Sequence, residues 1–244
     1  MAIKTVIASG KGGVGKSTVT KSLGLQFSEK GCNVLLIDCD AGLSSLDIML
    51  GVSERVNFSW GDVAEERCTP SDALIKISDT LTLLPSPKAP LSEEFPDIIK
   101  RLTEELGDDY DYIFIDAPAG IGRGLTRAAR AADKALVVAT ADEVSVTGAG
   151  TVQRVLSENG IKESRLLINR YNVKAAKKGL LLTVDEIIDK TLVQLIGIIP
   201  EDKNIMYSTV SEKRLRTKKS DGAFGRIAGR ISGKYIPLEL SQLK

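Results

Sequence analysis

The chain of 244 residues contains no histidine, which excludes every mechanism that needs an imidazole as base, proton shuttle or metal ligand. Its three cysteines, Cys32, Cys39 and Cys68, form no CxxC pair and no even-numbered framework. Free thiols in a reducing compartment are therefore expected, and metal ligation by them is not. Charge of one sign is also missing. Lys and Arg number 33 against 32 Asp and Glu, a formal net charge of +1, so no global field commits the chain to nucleic acid or to an anionic membrane, and such a partner must use a local patch. With 43% hydrophobic and 27% charged residues, composition indicates neither disorder nor a membrane-spanning class. No linker, repeat or low-complexity tract is evident. Met1-Ala2-Ile3-Lys4 runs straight into a strand and a glycine loop, unlike a secretory signal. A cytoplasmic protein with one domain spanning residues 1–244 is expected.

What is present is an alternation of apolar runs and helical patterns. Strands are expected at Lys4-Ala8, Asn33-Ile37, Leu81-Leu84, Tyr112-Ile115, Lys134-Ala139, Arg165-Ile168 and Gln194-Ile199, and strands separated by helices imply a mainly parallel sheet. Several runs are apolar without alternation, as strands covered on both faces are. The fold class predicted is a three-layer α/β/α sandwich. The first helix should start in the glycine loop, carry Val19, Leu23 and Phe27 on one face and stop at Gly31, a left-handed cap. Further helices are expected near Ser92-Leu106, Arg123-Ala132, Ser145-Ser157 and Asp221-Ser232. The prolines at 85, 87 and 90 mark a surface loop.

The strongest chemical signal is Gly10-Lys11-Gly12-Gly13-Val14-Gly15-Lys16-Ser17-Thr18. Strand, glycine loop, Lys-Ser and helix is the order phosphate binding requires, because small residues let backbone N–H groups converge on phosphate oxygens at a helix N-terminus. Lys16 then reaches the β- and γ-phosphates and the Ser17 hydroxyl serves Mg²⁺, so ATP and Mg²⁺ are the expected ligands. Lys11 is not required by such a loop, whose geometry tends to point that side chain away from its own phosphates; it is either a solvated loop lysine or a cation that serves a neighbour. Asp38 and Asp40 end the second strand with period-two spacing at its carboxyl edge, where α/β sheets keep their sites, although acidic caps also favour strand ends. Asp116 follows another apolar strand and can bind a magnesium water, with Gly120, Gly122 and Gly124 leaving the next loop free to rearrange. Asn169, Arg170, Pro200, Glu201 and Asp202 end two late strands on the same side, where an adenine ring would need amide-type partners.

The loop Gly-Lys-Gly-Gly-Val-Gly-Lys-Ser resembles the deviant Walker A loop of the MinD/ParA family of ATPases. The likeness to its MinD branch continues through Asp40-Ala41-Gly42-Leu43, Leu46-Asp47, Asp116-Ala117-Pro118-Ala119-Gly120-Ile121, Glu143-Val144-Ser145, Asn169-Arg170-Tyr171-Asn172 and Ile199-Pro200-Glu201-Asp202. The resemblance implies an ATPase acting as a dimerisation switch in septum placement. It further implies that Lys11 crosses to the partner's nucleotide, that Asp40 orients the attacking water and that Asp38 lies near the metal's water shell. By the same resemblance Asn169 reads the base edge, and the segment after Pro200 closes over the ring. The implied partners are a second copy of the chain when ATP is bound, an activator and effector of the MinE and MinC type, and a membrane surface. Relatives that partition DNA, place flagella or carry iron–sulfur clusters are the alternatives; the last would need bridging thiolates.

Two features depart from the MinD pattern. Residues 236–244 are short, broken by Pro237 and hardly basic, a poor match to the family's C-terminal amphipathic anchor. The preceding Phe224, Ile227, Ala228, Ile231 and Tyr235 have helical spacing and are expected in a core helix. The basic run Lys213-Arg214-Leu215-Arg216-Thr217-Lys218-Lys219 is open to three readings: a solvated loop, a contact with anionic lipid, or a less favoured contact with nucleic acid.

Overall fold

Eight strands join in one sheet in the computed structural model, which describes residues 1–42, 45–89, 95–207 and 218–238. In chain order they are β1 (Ile3–Ala8), β2 (Val34–Asp38), β3 (Ile75–Lys76), β4 (Leu81–Leu84), β5 (Tyr112–Asp116), β6 (Lys134–Ala139), β7 (Glu163–Tyr171) and β8 (Leu195–Pro200). Across the sheet the order is β3-β4-β2-β5-β1-β6-β7-β8. All neighbours run parallel except β3, which pairs antiparallel with β4 at the edge. The helices are α1 (Lys16–Ser28), α2 (Ser45–Leu50), α3 (Trp60–Ala64), α4 (Ile98–Glu105), α5 (Arg123–Arg130), α6 (Glu143–Glu158), α7 (Val173–Lys177), α8 (Val184–Thr191), α9 (Lys203–Tyr207) and α10 (Lys218–Ile231).

The core has two layers because strand side chains alternate between the faces of the sheet. Leu35, Ile37, Ile113, Ile115 and Val137 pack on one face with residues of α4, α5 and α6, whereas Val34, Leu36, Phe114 and Leu136 pack on the other with α1 and α10. Every residue of β2 is buried, which explains why its sequence shows no alternation. The expected face of α1 is in place: Val19, Leu23 and Phe27 are fully buried. The Phe27 ring lies 4.1 Å from that of Tyr112 and 5.5 Å from that of Phe114, centroid to centroid. Gly31 is left-handed at φ +83° and closes the helix.

All seven expected strands exist; Leu81–Leu84 and Lys134–Ala139 have the expected bounds, and the other five have ends shifted by one to three residues. Two of those shifts matter, because β2 runs to Asp38 and β5 to Asp116, and the two aspartates stand opposite each other in the ladder. The fourth helix begins at Ile98 and ends at Glu105, after a turn at Pro96-Asp97, and not near Ser92. In α10, Phe224, Ile227 and Ala228 are buried as expected of a core helix. Tyr235 is not part of that stripe: the helix ends at Ile231 and Tyr235 is almost fully exposed. Leu43, the 92–94 start of the expected helix, positions 213–217 of the basic run and 239–244 lie outside the described residues. Among the described residues, no helix is long and apolar enough to cross a membrane.

Candidate functional site

β1 ends at Ala8 and α1 starts at Lys16, so residues 9–15 cross the carboxyl edge of the sheet between β5 and β6. Gly13 and Gly15 take left-handed φ values of +76° and +93°, which only glycine adopts without strain. Gly15 caps α1 with no side-chain acceptor, leaving the first-turn N–H groups available to an anion. Space also demands glycine. A Cβ at Gly15 would strike Asn169 Nδ2, and one at Gly10 would strike the backbone of Gly148 in α6.

At the back of this cradle lies a buried charge cluster. Lys16 Nζ donates to Asp116 Oδ1 at 3.0 Å, with the lysine side chain 7% exposed and the aspartate fully buried. Thr20, one helical turn beyond Lys16, places its Oγ1 3.1 Å from the same carboxylate oxygen and 3.1 Å from the Lys16 carbonyl. Asp116 Oδ2 is buried and, among the described residues, accepts no hydrogen bond. Such an oxygen fits the water shell of a hard cation, so Ser17, Asp38 and Asp116 form a donor set consistent with Mg²⁺.

Asp38 organises the neighbouring loop. Its Oδ1 accepts from Asp40 N at 2.9 Å and its Oδ2 from Leu46 N at 3.1 Å, the latter in the first turn of α2. Burial, and then the Asp116 carboxylate opposite, push its pKa up to about 6. A carboxyl raised in the folded chain stabilises the fold below its ordinary value, and this contribution is lost as pH rises through about 6. The metal-free protein is therefore expected to gain roughly 1 kcal/mol in denaturant melts on going from pH 7 to pH 5, and Asp38→Asn to flatten that profile. With no histidine in the chain, no imidazole titrates in this window. Asp40 is only half-buried; burial raises its carboxyl as well, against an opposing effect of Lys16.

Contacts distant in sequence hold these groups. Ser45 Oγ, at the start of α2, donates to Ser17 Oγ at 3.1 Å, and Lys21 Nζ donates to the Met49 carbonyl. The single tryptophan, Trp60, is fully buried and donates from Nε1 to Asp38 O at 2.8 Å. Arg127 lies over its ring, 5.6 Å from the centroid. Thr20, Ser45 and Trp60 were not candidates from sequence. Only Thr20 carries a local signal, its one-turn spacing from Lys16.

Beside the cradle, a cavity of about 300 Å³ is lined by Thr18, Asn169, Arg170, Pro200, Glu201, Asp202, Lys203 and Ile205. The residues expected around a base thus converge, and Thr18 lines this cavity. The Asn169 amide donates to Val14 O at 2.7 Å and its Oδ1 accepts from Arg170 N, so in this structure it ties β7 to the glycine loop. Arg170 holds a left-handed φ of +54° where β7 departs from regular pairing with β8. Lys11 stands apart. Its Nζ donates to Asp142 Oδ1 at 3.1 Å, and both side chains are partly exposed.

A parallel sheet whose central strand feeds a glycine cradle, a buried lysine–aspartate pair at its back and a purine-sized cavity beside it define a P-loop nucleoside-triphosphatase. The family model described as ParA, NUBPL iron-transfer P-loop NTPase, matches residues 1–232. The chain belongs to that family, and it is an ATPase. A septum site-determining protein MinD from Thermotoga maritima is 35% identical over 242 residues, covering 96% of this chain and 89% of the relative. Among solved structures, the MinC:MinD cell division protein complex of Aquifex aeolicus superposes with a TM-score of 0.89 at 34% identity, covering 98% of each chain. MinD of Pyrococcus horikoshii, solved in complex with Mg-ADP, superposes at 0.83 with 27% identity, covering 95% of this chain and 96% of that one.

Proposed function

We propose that the chain is an ATP-gated dimerisation switch of the MinD kind, acting in placement of the division septum. The observation that carries this reading is the division of labour between two loop lysines. Lys16 is buried on Asp116, while Lys11, five residues earlier, projects to the partly exposed rim. A cation at the rim can reach a second subunit; one at the back can serve only its own phosphates. Lys16 and the loop N–H groups would hold the phosphates, Ser17 would hold a Mg²⁺ whose charge balances the polyphosphate, and Asp38 and Asp116 would bind that ion through water. Asp40 orients the attacking water. Arg170, Pro200, Glu201 and Asp202 enclose the base, with Asn169 presenting its amide edge.

Exposed Ile121, in the loop after β5, and Val144, in the first turn of α6 after β6, at 54% and 68%, follow the strands either side of β1 and supply apolar area for pairing of two copies. Hydrolysis in this reading is slow and rises on binding an activator of the MinE type, and the paired form recruits an effector of the MinC type or a membrane surface. An iron–sulfur carrier role is disfavoured by Cys39, which is buried beside Asp38 and whose thiol is pushed well above its ordinary value, first by burial and then by the carboxylates around it. The decisive experiment is light scattering with Mg-ATP. Lys11→Ala is expected to keep nucleotide affinity by calorimetry within about threefold, yet to lose ATP-dependent pairing and at least about 100-fold in turnover. A variant that still pairs and hydrolyses normally would remove the role of Lys11 in trans.

A further inference from the structure

Trp60 joins two segments that border the phosphate side of the sheet. It is the first residue of α3 and is fully buried. Its backbone N donates to Pro85 O at 3.1 Å and its indole Nε1 to Asp38 O at 2.8 Å. The two segments it ties are the ones that hold the turn carrying Asp40. Asp40 N donates to Asp38 Oδ1 at 2.9 Å, Ser86 Oγ to Asp40 O at 3.4 Å, and Gly42 N to Pro87 O at 3.0 Å. The turn from Asp38 to Gly42 is therefore fastened at both ends to backbone that Trp60 fixes.

Arg127 contacts the same indole from α5. It lies beside the buried stripe Leu125, Ala128 and Ala129, with its guanidinium carbon 5.6 Å from the ring centroid. Among the described residues it forms no ion pair, and its Nε is buried without a hydrogen-bond partner. A guanidinium so placed has the indole face as its compensation for lost water. Its charge also reaches Cys39, in the middle of the turn, where it opposes the carboxylates that raise the thiol. The helix that carries it is seated on the loop after Asp116, since a Cβ at Gly124 would strike the Pro118 ring. One line of contacts thus runs from that loop through α5, Arg127 and Trp60 to Asp38.

We infer that Arg127 is a positioning residue for hydrolysis: through the Trp60 indole it fixes the Asp38–Gly42 turn relative to α5 and so sets where the Asp40 carboxylate stands. The inference rests on the reading of Asp40 given above and deepens it, because it makes the placement of the loop after Asp116 govern that carboxylate. Reaction rates fall steeply when a group that orients a reactant is displaced, and one cation over one ring is worth about a factor of ten.

The test compares Arg127→Met with Arg127→Lys. Methionine keeps a flexible apolar chain against the ring and removes the cation, whereas lysine keeps a cation there. In the nucleotide-free full chain, hydrogen exchange followed by mass spectrometry is expected to be about fivefold faster across residues 40–42 in Arg127→Met, with β6 unchanged as a control. Arg127→Lys is expected to exchange within about twofold of wild type. With Mg-ATP, Arg127→Met is expected to lower kcat about tenfold and leave KM within about twofold, and lysine to restore most of the loss. Equal losses in the two variants would show that shape and not charge matters, and overturn the proposal. So would unchanged exchange at residues 40–42, exchange that rises equally in β6, or a raised KM with kcat intact. Wild-type turnover in Asp40→Ala defeats the reading of Asp40 and this inference together, whereas loss in Asp40→Ala with none in Arg127→Met defeats the inference alone.

Discussion

Lys16→Ala is expected to abolish measurable ATP binding in calorimetry and to lower the unfolding free energy by about 3 kcal/mol at neutral pH. The two effects share one cause. Lys16 is the counter-charge of Asp116, which is fully buried, and that aspartate stands directly opposite the buried Asp38 in the sheet. Removing only the cation leaves two carboxylates side by side in a medium that solvates them poorly, and the penalty is the one known for breaking a buried pair from one side. The same lysine is the residue placed to grip the outer phosphates, so affinity disappears with stability. The double variant Lys16→Ala with Asp116→Asn separates the contributions. It should recover most of the lost stability in urea melts, because the orphaned charge is gone, and recover none of the binding. A Lys16→Ala chain as stable as the wild type would mean that the pair contributes nothing to the fold.

Asp40→Ala is expected to lower turnover about 100-fold in a phosphate-release assay while changing ATP affinity by less than about threefold. Asp40 is built differently from Asp38. Its backbone is held, with N donating to Asp38 Oδ1 at 2.9 Å and Ala41-Gly42 continuing to a hydrogen bond from Gly42 N to Pro87 O at 3.0 Å. Among the described residues its side chain makes no ion pair, and it is only half-buried, with a carboxyl that burial raises. A group so placed suits holding a water in line with the outer phosphate better than it suits the fold. The variant should therefore fold normally and accumulate as an ATP-bound pair in light scattering. Turnover equal to wild type would assign the water to another residue.

The legible part of the fold was that governed by long regular patterns. Seven of the eight strands announced themselves as apolar runs because helices cover both faces of the sheet. β3 did not, since two residues at an edge carry no periodicity. The helices α2, α3, α7 and α9 span five or six residues each, less than two turns, too short for an apolar stripe to stand out. In the site, the glycine loop, Asp38, Asp40 and Asp116 were legible because phosphate binding and strand ends impose spacing on the chain itself. Thr20 and Asp142 were not, because their roles arise from partners 96 and 131 residues away.

By itself the sequence determined that this protein closes a glycine loop at the end of a central parallel strand, with one lysine at the start of the following helix and a second five residues earlier. These are properties of local spacing, and backbone geometry enforces them wherever the chain is folded. Only the tertiary structure decided that Asp116 is charge-paired and has an oxygen to spare, that Asp38 accepts from the backbone of the neighbouring loop, and that Lys11 rests on Asp142. Each of those depends on which groups are driven from water together, and burial is settled by packing between distant segments of the chain.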